Sequence, residues 1–306
     1  MKQKPNLFMF DLSSNFSRNY FKVKNLGNIP SDGYHNGVPV FAVKSTLFQV
    51  INEVRAASEV RGKPTHLLFV LDHDDDNFRH EIYPEYKANR APKDEDFYIQ
   101  REILTLALKY LTFSCIAKSG YEADDVIATI SSKCSSAGVP LTIFTKDKDI
   151  FAMVDETTHI YSGQEAKFYD RDAVMESKGV PPEKITDMLI LMGDKADNIF
   201  GVSGVGEKTA VSILSEFELL EVLSDPSILL NTKIRGKKNI VESIEQGMDK
   251  IKLMTEVATM RTDVELGSNL KDWALPRFPY EKRQAYDAVQ YGFNKAMFEY
   301  LSKPRA

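Results

Sequence analysis

The sequence predicts an α/β protein with a largely parallel central sheet, followed by a helical region. Three observations carry this expectation. The runs LFMFD (7–11), HLLFVLD (66–72) and PLTIFTKDKD (140–149) are short, apolar and rich in strand-favouring residues, as strands buried on both faces are. Segments with helical spacing of apolar residues lie between them. Farther on, two helical patterns flank Gly-Val-Ser-Gly-Val-Gly (201–206), an order that suits a helical hairpin.

Taken in order, the three runs stop at or near Asp11, Asp72 and Asp147. Val43, Leu47, Val50, Ile51 and Val54 hold one face of a first helix, and Ala123, Val126, Ile127 and Ile130 hold one face of another. Alternating strands and helices imply crossover connections, so the carboxyl ends of the strands share one edge, where ligands usually bind. Asp149 follows Asp147 at a spacing of two and points the same way if the strand continues. The helix opening at Glu122, Asp124 and Asp125 leaves the same edge if it follows a strand near FSCIA; acids in a first turn are also stabilised by the helix dipole. In ITDMLILMGDKADN, Ile185, Met188, Leu189 and Met192 form an apolar helical face, and Asp194 and Asp197 are neighbours if the helix includes them. The next helix carries Ala210, Ile213, Leu214 and Phe217 on its apolar face.

A chain of 306 residues with 43% hydrophobic content can bury a substantial core. Two domains are expected, residues 1–180 and 181–306. The formal charge of -5, from 39 basic and 44 acidic residues, names no partner, so a polyanion would be met by local basic patches. Cys115 and Cys134 make no Cys-x-x-Cys pair, which argues against a disulfide framework or thiolate zinc site and suits a reducing cytoplasm. The run Leu7 to Phe10 is too short for a signal-peptide core, and no apolar stretch has membrane-spanning length. A soluble cytoplasmic protein without a membrane partner is expected.

Nine carboxylates thus occupy positions compatible with one cleft: Asp11, Asp72, Glu122, Asp124, Asp125, Asp147, Asp149, Asp194 and Asp197. At an effective dielectric near 20, two unit charges about 4 Å apart repel by roughly 4 kcal/mol. Such a group needs cations, or some members protonate. Oxygen ligands without His or Cys suit Mg²⁺, with Mn²⁺ as a substitute. Two such ions about 4 Å apart can hold a phosphodiester, activate a water and stabilise the leaving oxygen. No EF-hand spacing is present. The following segment, YPEYKANRAPKDEDFYIQRE, supplies Tyr83, Tyr86, Lys87, Arg90, Lys93 and Arg101, cations and rings suited to phosphate and unstacked bases. Gly201, Gly204 and Gly206 can present backbone N–H groups to phosphate at a helix start. Glu207 stands where a P-loop needs lysine.

The stretches FDLSS, PTHLLFVLD, FRHEIYPEYKANRAP, GYEADDVIATI, FTKDKDI, LILMGDKADNIFGVSGVGEKTA and VATMRTDVEL resemble, in the same order, the 5′-nuclease superfamily: flap endonucleases, phage 5′-exonucleases and the 5′-nuclease domain of bacterial DNA polymerase I. With no polymerase segment following, a stand-alone enzyme is expected. The resemblance implies a PIN-like sheet with a helical arch around residues 83–101, a helix-hairpin-helix region, and two-metal-ion hydrolysis of DNA in replication or repair. It assigns Asp11, Asp72, Glu122, Asp124 and Asp125 to a first metal region and Asp147, Asp149, Asp194 and Asp197 to a second. Lys87, Arg90 and Tyr86 fall at the base of the arch beside the scissile phosphate, and Arg18 and Arg79 become phosphate contacts. Ser203, Gly204, Val205, Gly206, Lys208 and Thr209 would hold duplex DNA, with a K⁺ ion on the hairpin carbonyls. Implied partners are branched or 5′-ended duplex DNA, an RNA–DNA hybrid and replication proteins, bound by a monomer. Leu12 and Phe200 depart from the pattern, standing where glycine and proline are common. Asp74, Asp75 and Asp76 read as a solvated loop. A haloacid-dehalogenase-type phosphatase would need an acid at Ser13. A PIN-type ribonuclease and a catalytically silent branched-DNA binder remain as alternatives.

Overall fold

The computed structural model describes residues 4–27, 29, 33–35 and 37–275, so the last part of the expected second region lies outside the described residues. The chain begins with β1 (Leu7–Asp11), α1 (Leu12–Asn25), a short hairpin of β2 (Tyr34–His35) and β3 (Val38–Pro39), and α2 (Phe41–Arg61). It continues with β4 (His66–Val70), α3 (Phe78–Ile82), α4 (Glu95–Tyr110), β5 (Ser114–Ile116), α5 (Ala123–Ala137) and β6 (Leu141–Phe144). Then come β7 (Thr158–Ser162), β8 (Lys167–Tyr169), α6 (Arg171–Lys178), α7 (Ile185–Met192), β9 (Gly193–Asp194) and β10 (Ile199–Phe200). Helices α8 (Glu207–Glu216), α9 (Leu219–Ser224) and α10 (Lys237–Ala258) follow.

Six strands form one sheet in the order β5-β4-β1-β6-β7-β8, parallel throughout except for the last pair. Leu7, Phe8, Met9 and Phe10 are all fully buried because β1 is covered on both faces. Leu7 and Met9 enter a core shared with α5, α7, α8 and α10, whereas Phe8 and Phe10 enter one shared with α1, α2 and α4. The period of two in β1 is thus satisfied by two different apolar layers. The first core runs from Leu7 to Trp273, so among the described residues those from 181 to 275 pack into the same core as the sheet.

The chain steps from β1 through β4 to β5, then crosses back along α5 to β6 on the other side of β1. This makes the β1/β6 boundary the switch point at which open α/β sheets form a ligand crevice. Register levels the strand ends there: Asp11 faces Val70, and Phe10 faces Phe144.

Residues 83–101, where a helical arch is expected, begin as a turn and end in a helix. Pro84 to Asn89 make a compact turn, and α4 starts at Glu95. Phe97, Gln100, Leu104 and Leu108 then bury one stripe of α4 against the sheet layer, which holds it down. Asp94 caps this helix by accepting the Phe97 amide at 3.2 Å.

Helix α7 stops at Gly193, whose φ of 72° is left-handed. A Cβ on Gly201 would lie 2.2 Å from the Met192 carbonyl carbon, and one on Gly193 would lie 2.4 Å from the Gly201 amide nitrogen. Two glycines are therefore required where the chain leaves α7 and returns through the β9–β10 pair toward α8.

Candidate active site

Asp11 ends β1, is 2% exposed, and caps α1 by accepting the Ser14 amide at 3.0 Å. Its other oxygen accepts the Thr145 hydroxyl at 2.7 Å. Burial, with Asp147 and Asp72 nearby, pushes this carboxyl up to about 7. Asp72 lies just past β4; its Oδ1 accepts the Ala123 amide at 2.9 Å, tying the β4 end to the start of α5. Asp124 is raised well above the usual carboxylate range by burial and by Asp147 and Asp11. The sheet edge therefore gathers Asp11, Asp72, Asp124 and Asp147.

A second group adjoins it. Asp149 is pushed up to about 7 by burial and by Asp147, with Asp194 and Asp197 also facing it. Two expectations about how these acids are placed fail, although the acids still meet. Strand β6 ends at Phe144, and Asp149 opens a 3-10 turn with its amide donating to Asp147 Oδ1 at 3.0 Å, so strand alternation does not orient it. Asp194 and Asp197 are not helical neighbours, because Gly193 ends α7 and puts Asp194 in β9 and Asp197 in the turn after it. Asp194 accepts the Ala196 amide at 2.7 Å and pairs with Lys148 at 3.1 Å; burial opposes ionisation, but these contacts hold its carboxyl below the usual range.

Lys87 stands at φ 57°, a left-handed conformation unusual for lysine, with its amide donating to the Asp197 carbonyl at 3.1 Å. Its ammonium lies 2.6 Å from Glu122 Oε1 and 3.7 Å from Asp197. Burial alone would lower its pKa, but Glu122, Tyr86 and Asp197 raise it, so the cation persists. Glu122 is correspondingly held low: burial works against ionisation, and Lys87 and Arg79 outweigh it. Arg90 pairs with Asp197. Asn198, also left-handed at φ 59°, donates to the Glu85 carbonyl at 2.8 Å, and Asn89 donates to the Lys195 carbonyl at 2.5 Å. The Pro84–Asn89 turn and the Asp194–Ile199 turn are thereby joined.

Several expected contacts are corrected by burial. Arg79 is 3% exposed, with both terminal nitrogens on Asp125 at 2.6 and 2.8 Å and Nε on the Val257 carbonyl, so it has no face for a DNA phosphate. Asp125 is fully buried and also accepts the Glu122 and Arg261 amides; its oxygens are engaged away from the metal group. Tyr83 and Tyr86 are buried at 8% and 4%, so neither offers a free ring to a base. The Tyr86 hydroxyl instead donates to Glu122 at 2.9 Å, and its ring lies under the Lys87 ammonium. Arg18 is half-buried and donates to Asn15 at 2.7 Å. Asp74, Asp75 and Asp76 are exposed as expected, yet Asp74 pairs with Arg101 at 2.5 Å and Asp75 accepts the Ser119 hydroxyl at 2.7 Å.

In the hairpin, Ser203, Gly204, Gly206 and Lys208 are exposed, Thr209 is half-buried, and the Val205 side chain belongs to the core. Gly204, not Gly206, has the positive φ, at 83°; Gly206 is extended at φ -108° and faces open space. Helix α8 starts after Gly206 without a side-chain cap, leaving its first amides at an exposed corner beside Lys208. Sequence reasoning missed Thr145, Lys148 and Asn198. Only the lysine alternating with acids in TKDKD carried a readable signal.

An acidic crevice at the switch point of an α/β sheet, beside an outward-facing helical hairpin, defines the class of protein. Residues 6–179 match the family described as 5′-3′ exonuclease, N-terminal resolvase-like domain, and residues 180–281 match 5′-3′ exonuclease, C-terminal SAM fold. The chain belongs to the 5′-3′ exonuclease family. A 5′-3′ exonuclease of Aquifex aeolicus is 31% identical over 261 residues, covering 85% of this chain and 84% of that protein. DNA polymerase I of Rhizobium leguminosarum is 32% identical over 273 residues, covering 88% of this chain but 26% of the polymerase, so the chain spans about a quarter of the length of that relative. A crystal structure of the bacteriophage T5 D15 flap endonuclease, in a pseudo-enzyme-product complex with DNA and metal ions, shares the fold at TM-score 0.62 and 20% identity, covering 98% of this chain and 100% of that one. The PIN-like arrangement of sheet and C-terminal helices is thus that of 5′ nucleases.

Proposed function

We propose that this protein is a divalent-metal-dependent 5′ nuclease acting on branched or 5′-ended duplex DNA, as a 5′-3′ exonuclease and 5′-flap endonuclease. The observation that carries the proposal is the meeting of Asp11, Asp72, Asp124 and Asp147 at the switch-point edge, with Lys87 held beside them. Among the described residues no three acidic, His or Cys side chains form a ready-made cage for an ion. The donor set still fits Mg²⁺, which keeps several waters and takes one or two carboxylates per ion. Burial first, and neighbouring carboxylates second, raise Asp11 and Asp149, and a cation bound beside them would offset both effects. Asp11, Asp72, Asp124 and Asp147 would hold one ion and Asp147, Asp149, Asp194 and Asp197 another, with Glu122 engaged by Lys87 and Tyr86 and Mn²⁺ able to replace Mg²⁺. When bound, two such ions polarise the phosphodiester and activate a water.

Lys87 supplies a preorganised cation to charge developing on the phosphate, and Glu122, Tyr86 and Asn198 keep it in place. Lys87→Ala is expected to lower single-turnover cleavage by about 10²-fold or more with little change in binding. A normal rate at saturating enzyme would make Lys87 a binding contact only.

The α8 hairpin anchors duplex DNA through its exposed amides and Lys208, with K⁺ as a candidate ion on its carbonyls. Lys208→Ala should weaken all duplex-bearing substrates alike and reduce the slope of log affinity against log salt by about one unit. Binding measured in Ca²⁺ across a salt series checks this; an unchanged slope removes Lys208 from the DNA contact. Monomeric action in the cytoplasm and use of RNA–DNA hybrids during replication or repair complete the proposal. Its test is cleavage of 5′-labelled flap, nicked, single-stranded and RNA–DNA substrates in Mg²⁺, with the product ends mapped. Cuts near the junction of 5′-ended DNA are expected. Preference for single-stranded RNA would favour a PIN-type ribonuclease, and binding without cleavage a silent branched-DNA binder.

A further inference from the structure

Between the two acidic groups lies one buried hydroxyl. Thr145 follows the last residue of β6 and is 2% exposed. Its Oγ1 donates to Asp11 Oδ2 at 2.7 Å and accepts the Asp147 amide at 3.0 Å. Threonine has a single hydroxyl proton, and the Asp147 amide can only donate, so that proton is directed at Asp11. The far oxygen of Asp11 is fixed by the Ser14 amide at 3.0 Å, and Asp147 Oδ1 by the Asp149 amide at 3.0 Å. An unbroken chain of hydrogen bonds therefore runs Ser14–Asp11–Thr145–Asp147–Asp149 across the β1/β6 boundary. Both oxygens of Asp11 are held, while Asp147 is fixed through its backbone as well as its carboxylate.

We propose that Thr145 is a positioning residue that sets the Asp11 and Asp147 carboxylates relative to each other for divalent-ion binding. This rests on the metal-dependent reading above. Thr145 touches neither the water nor the phosphate in this account; it acts through the two carboxylates. Groups that hydrogen-bond to metal ligands orient them, and removing one typically lowers metal affinity by about 10–100-fold.

Thr145→Val keeps the branched shape but removes the donor and the acceptor together, whereas Thr145→Ser keeps the hydroxyl and removes only the methyl. Mn²⁺ binding to the metal-free full chain, without DNA, is followed by calorimetry, and the Mg²⁺ concentration giving half-maximal single-turnover cleavage is measured alongside. The valine variant is expected to bind Mn²⁺ about 10–100-fold more weakly and to shift the Mg²⁺ midpoint in parallel, while serine stays within about threefold of the parent. Should the valine variant fail to fold, Thr145→Cys, a weaker donor and acceptor, carries the same comparison. Unchanged Mn²⁺ affinity in the valine or cysteine variant, or equal weakening in serine and valine, overturns the role of Thr145. A parent protein that binds no divalent ion overturns the metal reading and the positioning role with it.

Discussion

Asparagine at both Asp147 and Asp149 is expected to abolish cleavage and to leave flap binding intact or tighter. Asp147 stands between the two acidic groups, beside Asp11 and Asp124 on one side and Asp149 on the other. Asparagine keeps the size of each side chain but removes two negative charges that would hold ions. The same change reduces repulsion between the site and the DNA backbone, which sets binding against turnover. A loss of about 10³-fold or more in single-turnover rate is expected, the range seen when preorganised electrostatic groups acting as a unit are removed. The check is product formation at saturating Mg²⁺ with flap affinity measured in Ca²⁺. Near-normal turnover by the folded double variant would remove these two acids from ion binding.

Arg79→Ala is expected to destabilise the fold by about 3–5 kcal/mol, because it leaves the Asp125 carboxylate charged and unpaired in the interior. Both side chains are almost wholly excluded from solvent, at 4% and 0%, so water cannot replace the lost partner. The same guanidinium reaches the Val257 carbonyl near the end of α10, and Asp125 accepts the Arg261 amide. The pair thus fastens α3 and α5 to the helical region. Urea unfolding with an unchanged slope and a lowered midpoint would report this effect. A small stability loss with a large fall in DNA affinity would instead return Arg79 to the role of a phosphate contact.

These two cases mark where the sequence could be read and where it could not. Asp11, Asp72 and Asp147 were legible because each stands at or just past the end of a short apolar run that reads as a buried strand, and parallel topology brings such ends together. Asp149, Asp194 and Asp197 reach the same cleft by turns that periodicity does not describe. The left-handed Gly193 and its close approach to Gly201 redirect the chain where a helical pattern would continue. Within the expected arch, the apolar stripe Phe97, Leu104 and Leu108 packs α4 into the sheet layer, a tertiary contact that local spacing does not announce. Arg79 and Asp125 lie 46 residues apart, so no local spacing announces that they pair. Thr145 left no mark either, since its hydroxyl matters only once Asp11 and Asp147 are adjacent in space.

In the proposed function the switch-point carboxylates are the ion-binding centre. Anomalous diffraction from crystals of the protein grown with Mn²⁺ tests it most directly. Two peaks are predicted, one among Asp11, Asp72, Asp124 and Asp147 and one among Asp147, Asp149, Asp194 and Asp197. Peaks confined to other surfaces, with this cleft empty at Mn²⁺ concentrations that support cleavage, would contradict the account.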